Sequence, residues 1–122
     1  MTIIYGIESL NDFYSILQNN NGAVVIKFGA DWCVPCKKIE HHVANWYQKI
    51  ETERSNIHLI YIDVDESFEL YAFLRTKRMI QGIPTILAYY KGNTTYVFDD
   101  SVVGTSEEAI NTFFQTVLTK AS

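Results

Sequence analysis

The sequence predicts a single α/β domain on a mixed five-stranded sheet flanked by helices, in the order β-α-β-α-β-α-β-β-α. Three observations carry that prediction. Two near-continuous, β-branched runs, Ala23 to Phe28 and Ile57 to Val64, read as strands covered on both faces. Each is followed by apolar residues at helical spacing, the alternation that lays strands parallel through right-handed crossovers. The last two strands are joined by a tight turn and must therefore run antiparallel. With 122 residues, the chain has room for one domain, 1–122, and little for a second.

Ile3 to Ile7 is a short apolar stretch ahead of Ser9, which can cap a first helix whose Leu10, Phe13, Tyr14 and Leu17 share one stripe. Asn19-Asn20-Asn21-Gly22 ends that helix. In the run from Ala23 to Phe28, Lys27 is the one charged intruder. Gly29-Ala30-Asp31-Trp32 turns the chain into a second helix, with Cys33 at its start and Cys36, Ile39, Val43, Trp46, Tyr47 and Ile50 at helical spacing. After the strand from Ile57, Asp65-Glu66-Ser67 is helix-start chemistry, and a third helix carries Phe68, Tyr71, Ala72 and Leu74. Arg75, Lys77 and Arg78 close it, where cations complement the negative end of the helix dipole, so the cluster reads as structural rather than as a binding patch. Gly82-Ile83-Pro84 breaks the pattern before Thr85 to Tyr90, and Lys91-Gly92-Asn93 turns the chain into a last strand at Tyr96-Val97-Phe98. Thr105-Ser106-Glu107-Glu108 reads as a capping box, opening a final helix with Ala109, Ile110, Phe113, Phe114 and Val117 on one stripe.

Composition narrows the function. Hydrophobic residues at 48% and aromatics at 14% supply a real core, which excludes a disordered chain. Lys27, Asp63 and Lys91 interrupt the longest apolar runs well short of the ~20 residues a membrane span needs, so no membrane association is expected. Ten Lys and Arg against fourteen Asp and Glu give a net charge of −4, which repels phosphate backbones and argues against nucleic acid. Only two cysteines occur, Cys33 and Cys36, three apart. A bridge that short closes almost no loop, so the pair is better explained by reactivity than by stapling. Met1-Thr2-Ile3-Ile4-Tyr5 has neither a basic n-region nor a long apolar h-region, so the expected location is the reducing cytoplasm, where such a pair does redox or metal chemistry.

Position assigns the sulfurs their roles. A cysteine at a helix N-terminus faces unpaired backbone N–H groups and the positive dipole end, both of which favour thiolate, so Cys33 is expected to be the nucleophile. Cys36, one turn on and on the same side, is expected to be the resolving thiol. Pro35 fits a first helical turn, where its missing N–H had no intrahelical acceptor.

The element order together with Ala30-Asp31-Trp32-Cys33-Val34-Pro35-Cys36-Lys37 and Gly82-Ile83-Pro84-Thr85 resembles the thioredoxin family over nearly the whole chain. The resemblance implies a thioredoxin fold and a cis Ile83–Pro84 bond facing a redox-active Cys33–Cys36 disulfide. It implies that substrate chains lie across Trp32, Val34, Pro35, Ile83, Pro84 and the Val103-Gly104 segment. It also implies reduction of protein disulfides through a mixed disulfide, with no organic cofactor. Its partners would be disulfide-containing proteins and a thioredoxin-reductase-like or other dithiol reductant, met as a monomer.

Four features depart from the family's usual pattern. Lys27 stands where thioredoxins usually carry a buried acidic residue, and Tyr61 where a partner lysine is common. Three readings of Lys27 stay open: a cation that favours the Cys36 thiolate, a desolvated amine that accepts its proton, or a side chain that snorkels or pairs with Asp63. The first makes the couple less reducing than the ~−270 mV of thioredoxin. Val34 replaces a usual glycine and stiffens the loop beside Cys33. His41 replaces a kinking proline, so the second helix should run straighter. The segments Asp65 to Pro84 and Gly92 to Gly104 are each about four residues longer than usual, on the order of one helical turn in the first case.

Zinc ligation by Cys33, Cys36, His41 and His42 fails on spacing, since residues five or six further along the helix point away from Cys33; no metal is expected. Tyr89-Tyr90 and Phe113-Phe114 read as packing, His58 as a strand residue without a special role, and Asp63, Asp65, Glu66 and Glu69 as a solvated helix start. Besides a reductase, two activities compete: a disulfide oxidase or isomerase, and a scaffold or binding subunit with an idle dithiol.

Overall fold

The computed structural model describes residues 3–121; Met1, Thr2 and Ser122 of the expected 1–122 domain lie outside the described residues. In chain order the elements are β1 (Ile4–Tyr5), α1 (Leu10–Gln18), β2 (Ala23–Gly29), α2 (Val34–Glu53), β3 (Ile57–Asp63), α3 (Phe68–Thr76), β4 (Thr85–Tyr90), β5 (Asp100–Val103) and α4 (Glu107–Lys120). The sheet order is β1-β3-β2-β4-β5, with β1, β3 and β2 parallel and β4 and β5 antiparallel, as the element pattern requires. Among the described residues no helix is long and apolar enough to cross a membrane.

The near-continuous runs are explained by what covers them. β2 is central: Ala23 and Val25 enter a core with Val43, Tyr47, Ile110 and Phe114 of α2 and α4. Val24, Ile26 and Phe28 point the other way, onto Phe13, Leu17, Leu70 and Leu74 of α1 and α3. Burying one such large apolar side chain is worth ~1.5–3 kcal/mol, so these two layers dominate the stabilisation. Ser9 caps α1, its Oγ accepting from Asp12 N at 3.1 Å. The helix α2 runs unbroken through His41.

Three expectations need correction. The final strand starts at Asp100, not at Tyr96, because Asn93 organises a wider loop: its Nδ2 donates to Val97 O at 2.8 Å and its Oδ1 accepts from Thr95 N at 3.0 Å. Such local side-chain to backbone bonds compete with strand pairing. Phe68 does not belong to the buried stripe of α3; it is 66% exposed, and Leu70 takes its place beside Leu74. The helix α4 has no capping box, because Ser106 is its cap and the residue three further on is Ala109, which offers only its N–H, 3.2 Å from Ser106 Oγ.

The end of α3 is closed by its backbone. Arg78 adopts φ 62°, with Arg78 N donating to Arg75 O at 3.0 Å and Met79 N to Leu74 O at 2.8 Å, the paired bonds of a Schellman motif.

Candidate active site

At the end of β2 the chain leaves the sheet through a turn closed by Cys33 N donating to Ala30 O at 3.2 Å, and α2 begins at the next residue. Cys33 is therefore the N-cap, and Cys36 N donates to its Sγ at 3.2 Å. The free N–H groups and positive dipole end of a 20-residue helix thus converge on this sulfur. Pro35 occupies the first turn, where a missing N–H costs nothing. Cys33 and Cys36 are joined as a disulfide with Cα atoms 5.3 Å apart, and each is 4% exposed.

Around the buried disulfide the surface is apolar and exposed. Trp32 is 66% exposed, and Val34 and Pro35 are open to solvent. Opposite them, the Ile83–Pro84 bond is cis and Ile83 O lies 4.0 Å from Cys33 Sγ. Gly104 N donates to Pro84 O at 3.1 Å, which ties the Val103-Gly104 segment to the proline loop, and Gly104 holds φ +93° there, a conformation glycine adopts without strain. Residues that the sequence scattered over 70 positions are thus gathered on one surface.

Behind the disulfide, a cleft of about 360 Å³ is lined by Cys36 and Lys27 together with Tyr5, Tyr61 and Glu40. Lys27 is only 8% exposed, and burial pulls its ammonium below the usual lysine value, with Glu40 opposing. Its Nζ stands 5.7 Å from the centre of the Tyr61 ring, which stacks on Tyr5 at 5.4 Å. Burial pushes Tyr61 up to about 12. The ion pair with Asp63 does not form: the described residues hold two ion pairs, His42–Glu107 and Lys120–Asp100. Asp63 instead accepts from Asp65 N at 2.8 Å.

His41 is exposed, and His42 Nε2 lies 2.8 Å from Asn111 Oδ1, which also accepts from Trp46 Nε1. Among the described residues no cluster of three His, Cys, Asp or Glu is placed to hold a metal.

The family model of thioredoxin matches residues 6–116. The chain belongs to the thioredoxin family. It is 34% identical over 107 residues to thioredoxin 3 of Plasmodium falciparum, which covers 88% of this chain and 53% of that protein, so the chain spans about half the length of that relative. It is 30% identical over 104 residues to thioredoxin 1 of the same organism, covering 85% of this chain and 88% of that one. Among solved structures, mitochondrial thioredoxin 3 of Saccharomyces cerevisiae in its oxidised form superposes with a TM-score of 0.71 at 22% identity, covering 93% and 94% of the two chains.

Within this thioredoxin fold, sequence reasoning missed Asp65. Its Oδ2 accepts from Trp32 Nε1 at 2.8 Å across 33 positions, and the acidic run around it gave no sign which carboxylate would be engaged. The same reasoning missed Gly29, where an added Cβ would come within 3.4 Å of Cys36 Sγ.

Proposed function

We propose that this protein is a thiol–disulfide oxidoreductase that reduces protein disulfides through a Cys33/Cys36 dithiol–disulfide cycle. The observation that carries this reading is the position of Cys33 Sγ at the N-cap of α2, beneath the exposed rim of Trp32 and Val34 and beside Ile83 O. Cys33 thiolate attacks one sulfur of the substrate disulfide, forming the Cys33–substrate bond and releasing the other substrate sulfur as thiolate. Cys36 thiolate then attacks Cys33 Sγ, forming the intramolecular disulfide and releasing the second substrate thiolate. Two electrons pass from dithiol to substrate, and only the two sulfurs change bonding.

An apolar surface made of Trp32, Val34, Pro35, Ile83, Pro84 and Gly104 suits extended segments of many proteins. A dithiol reductant of the thioredoxin-reductase kind would regenerate the pair, and a monomer working in the cytoplasm fits its reducing half-cycle. Insulin reduction with Cys33→Ser as control tests the reading. Equal turbidity rates for both proteins would leave the fold as a scaffold with an idle dithiol.

One observation favours a second reading. A buried Lys27, if charged, stabilises the reduced pair and makes the disulfide a stronger oxidant, as in an oxidase or isomerase. A glutathione titration giving a potential above ~−270 mV supports it, and an equal or lower value removes it.

A further inference from the structure

Lys27 is a cationic residue type held almost wholly inside the domain, without a carboxylate partner. An ammonium in that position is costly, and the cost disappears when the nitrogen is a neutral amine. The lowered affinity of Lys27 for its proton expresses the same imbalance.

Its place in the strand decides what that amine can reach. Lys27 and Gly29 are two apart in β2 and share one face, the face covered by α2. A Cβ on Gly29 would lie 3.4 Å from Cys36 Sγ, so this face of the strand points at that sulfur and the glycine leaves the approach open. Strand positions two apart are separated by ~6.6 Å, which a lysine side chain spans. Lys27 and Cys36 also line the same cleft of about 360 Å³, wide enough to hold water between them.

We propose that Lys27 is the proton acceptor for Cys36 in the resolving step, directly or through one water. The inference rests on the dithiol cycle above and specifies its second half. In the mixed disulfide, Cys36 Sγ–H gives its proton to the Lys27 amine, which becomes an ammonium. The Cys36 thiolate attacks Cys33 Sγ, the Cys33–Cys36 bond forms and the Cys33–substrate bond breaks. The departing substrate thiolate takes up a proton, from the Lys27 ammonium or from water, and the amine returns to its neutral state.

The remaining titratable groups around the cleft do not take this role. Glu40 on α2 favours the charged lysine and so limits the amine population. Asp31 and Lys37 are exposed at the rim, and Asp63 is engaged by Asp65 N. Tyr61 keeps its proton to about pH 12, and Tyr5 stacks on it as an exposed edge.

The experiment mixes the reduced protein with 5,5′-dithiobis(2-nitrobenzoate) in a stopped-flow instrument and follows the two thionitrobenzoate releases separately from pH 6 to 10. The first release reports attack by Cys33 and the second attack by Cys36. For Lys27→Met the second release is expected to slow at least ~10-fold near pH 7, the low end for loss of a general base, while the first is unchanged. The gap should close towards pH 10, where Cys36 ionises unaided. Lys27→Arg, permanently charged, is expected to be as slow as Lys27→Met; full speed in the arginine variant would mean that only a positive charge is needed and would overturn the proposal. Superimposable pH profiles for wild type and Lys27→Met would overturn it too. Melting temperatures at or above wild type for Lys27→Met show that the fold is intact, as loss of an unpaired buried charge predicts. A wild type that releases only one equivalent would remove the dithiol cycle itself, and with it this inference.

Discussion

Trp32 Nε1 donates to Asp65 Oδ2 at 2.8 Å, tying the loop that leads into the redox helix to the loop that leaves β3. The indole is 66% exposed, so nothing but this bond and its own backbone holds it over the disulfide. Asp65→Ala should let the ring wander and blunt protein docking. Insulin reduction should fall ~3–10-fold, equivalent to ~0.7–1.4 kcal/mol, the net worth of one hydrogen bond. Reduction of a small aromatic disulfide, which does not use the ring, should stay near wild type. Equal losses on both substrates would show that Asp65 acts on the sulfurs and not on docking.

The end of α3 invites a stabilising change. Arg78 occupies the left-handed position of a Schellman motif at φ 62°, where a side chain with a Cβ costs ~1–2 kcal/mol. Arg78→Gly removes that strain but loosens the unfolded chain by ~0.5–1 kcal/mol. The expected net gain is ~0.5–1 kcal/mol, or ~2–6 °C in melting temperature for a domain of this size. A lower melting temperature would mean that the exposed guanidinium makes a contact worth more than the strain.

What the sequence made legible was whatever is encoded locally. The strands β2 and β3 could be read because Val24 and Val25, or Leu59 and Ile60, are each buried on opposite faces. Cys33 and Cys36 could be read because one helical turn fixes their separation. Contacts between distant segments could not. Nothing around Asp65 marks it as the partner of Trp32, and nothing around Lys27 shows that Gly29 opens a path to Cys36. Phe68 and the start of β5 failed for a related reason: apolar periodicity cannot see the Asn93 side chain reorganising a loop, nor which of two stripes on α3 the sheet will accept.

The two segments that looked about four residues long turn out to pack on each other. Phe73 of α3 meets Tyr96 of the β4–β5 loop edge to face at 5.5 Å, and Lys77 Nζ lies 5.8 and 5.5 Å from the two ring centres. Tyr96 O in turn accepts from the hydroxyl of buried Tyr89 at 2.8 Å. One insertion thus braces the other. A double-mutant cycle on Phe73→Ala and Tyr96→Ala should give a coupling of ~0.5–1.5 kcal/mol in urea unfolding. Additive losses would show that each ring is held independently by the core.

Alkaline pH should unfold this domain earlier than its carboxylate chemistry suggests. Burial raises Tyr47, Tyr61, Tyr89 and Tyr90 above the usual tyrosine value of 10.0, Tyr61 to about 12, and Asp100, accepting from the Tyr90 hydroxyl at 2.6 Å, raises Tyr90 further. In the unfolded chain these phenols lose their protons near pH 10, whereas the folded state keeps them. The unfolded state then binds fewer protons, so stability falls as pH climbs from 10 towards the folded values. Lys27 works in the opposite sense: its lowered value means that the unfolded chain binds more protons below 10.5, a contribution that increases stability up to that pH. Four phenols against one amine decide the outcome above pH 10. Melting temperature should therefore change little from pH 7 to 9 and drop steeply above 10. Absorbance at 295 nm should show these four of the eight tyrosines titrating together with the loss of circular dichroism. All eight ionising near pH 10 while the dichroism stays native would show that their hydroxyls are not sequestered by the fold.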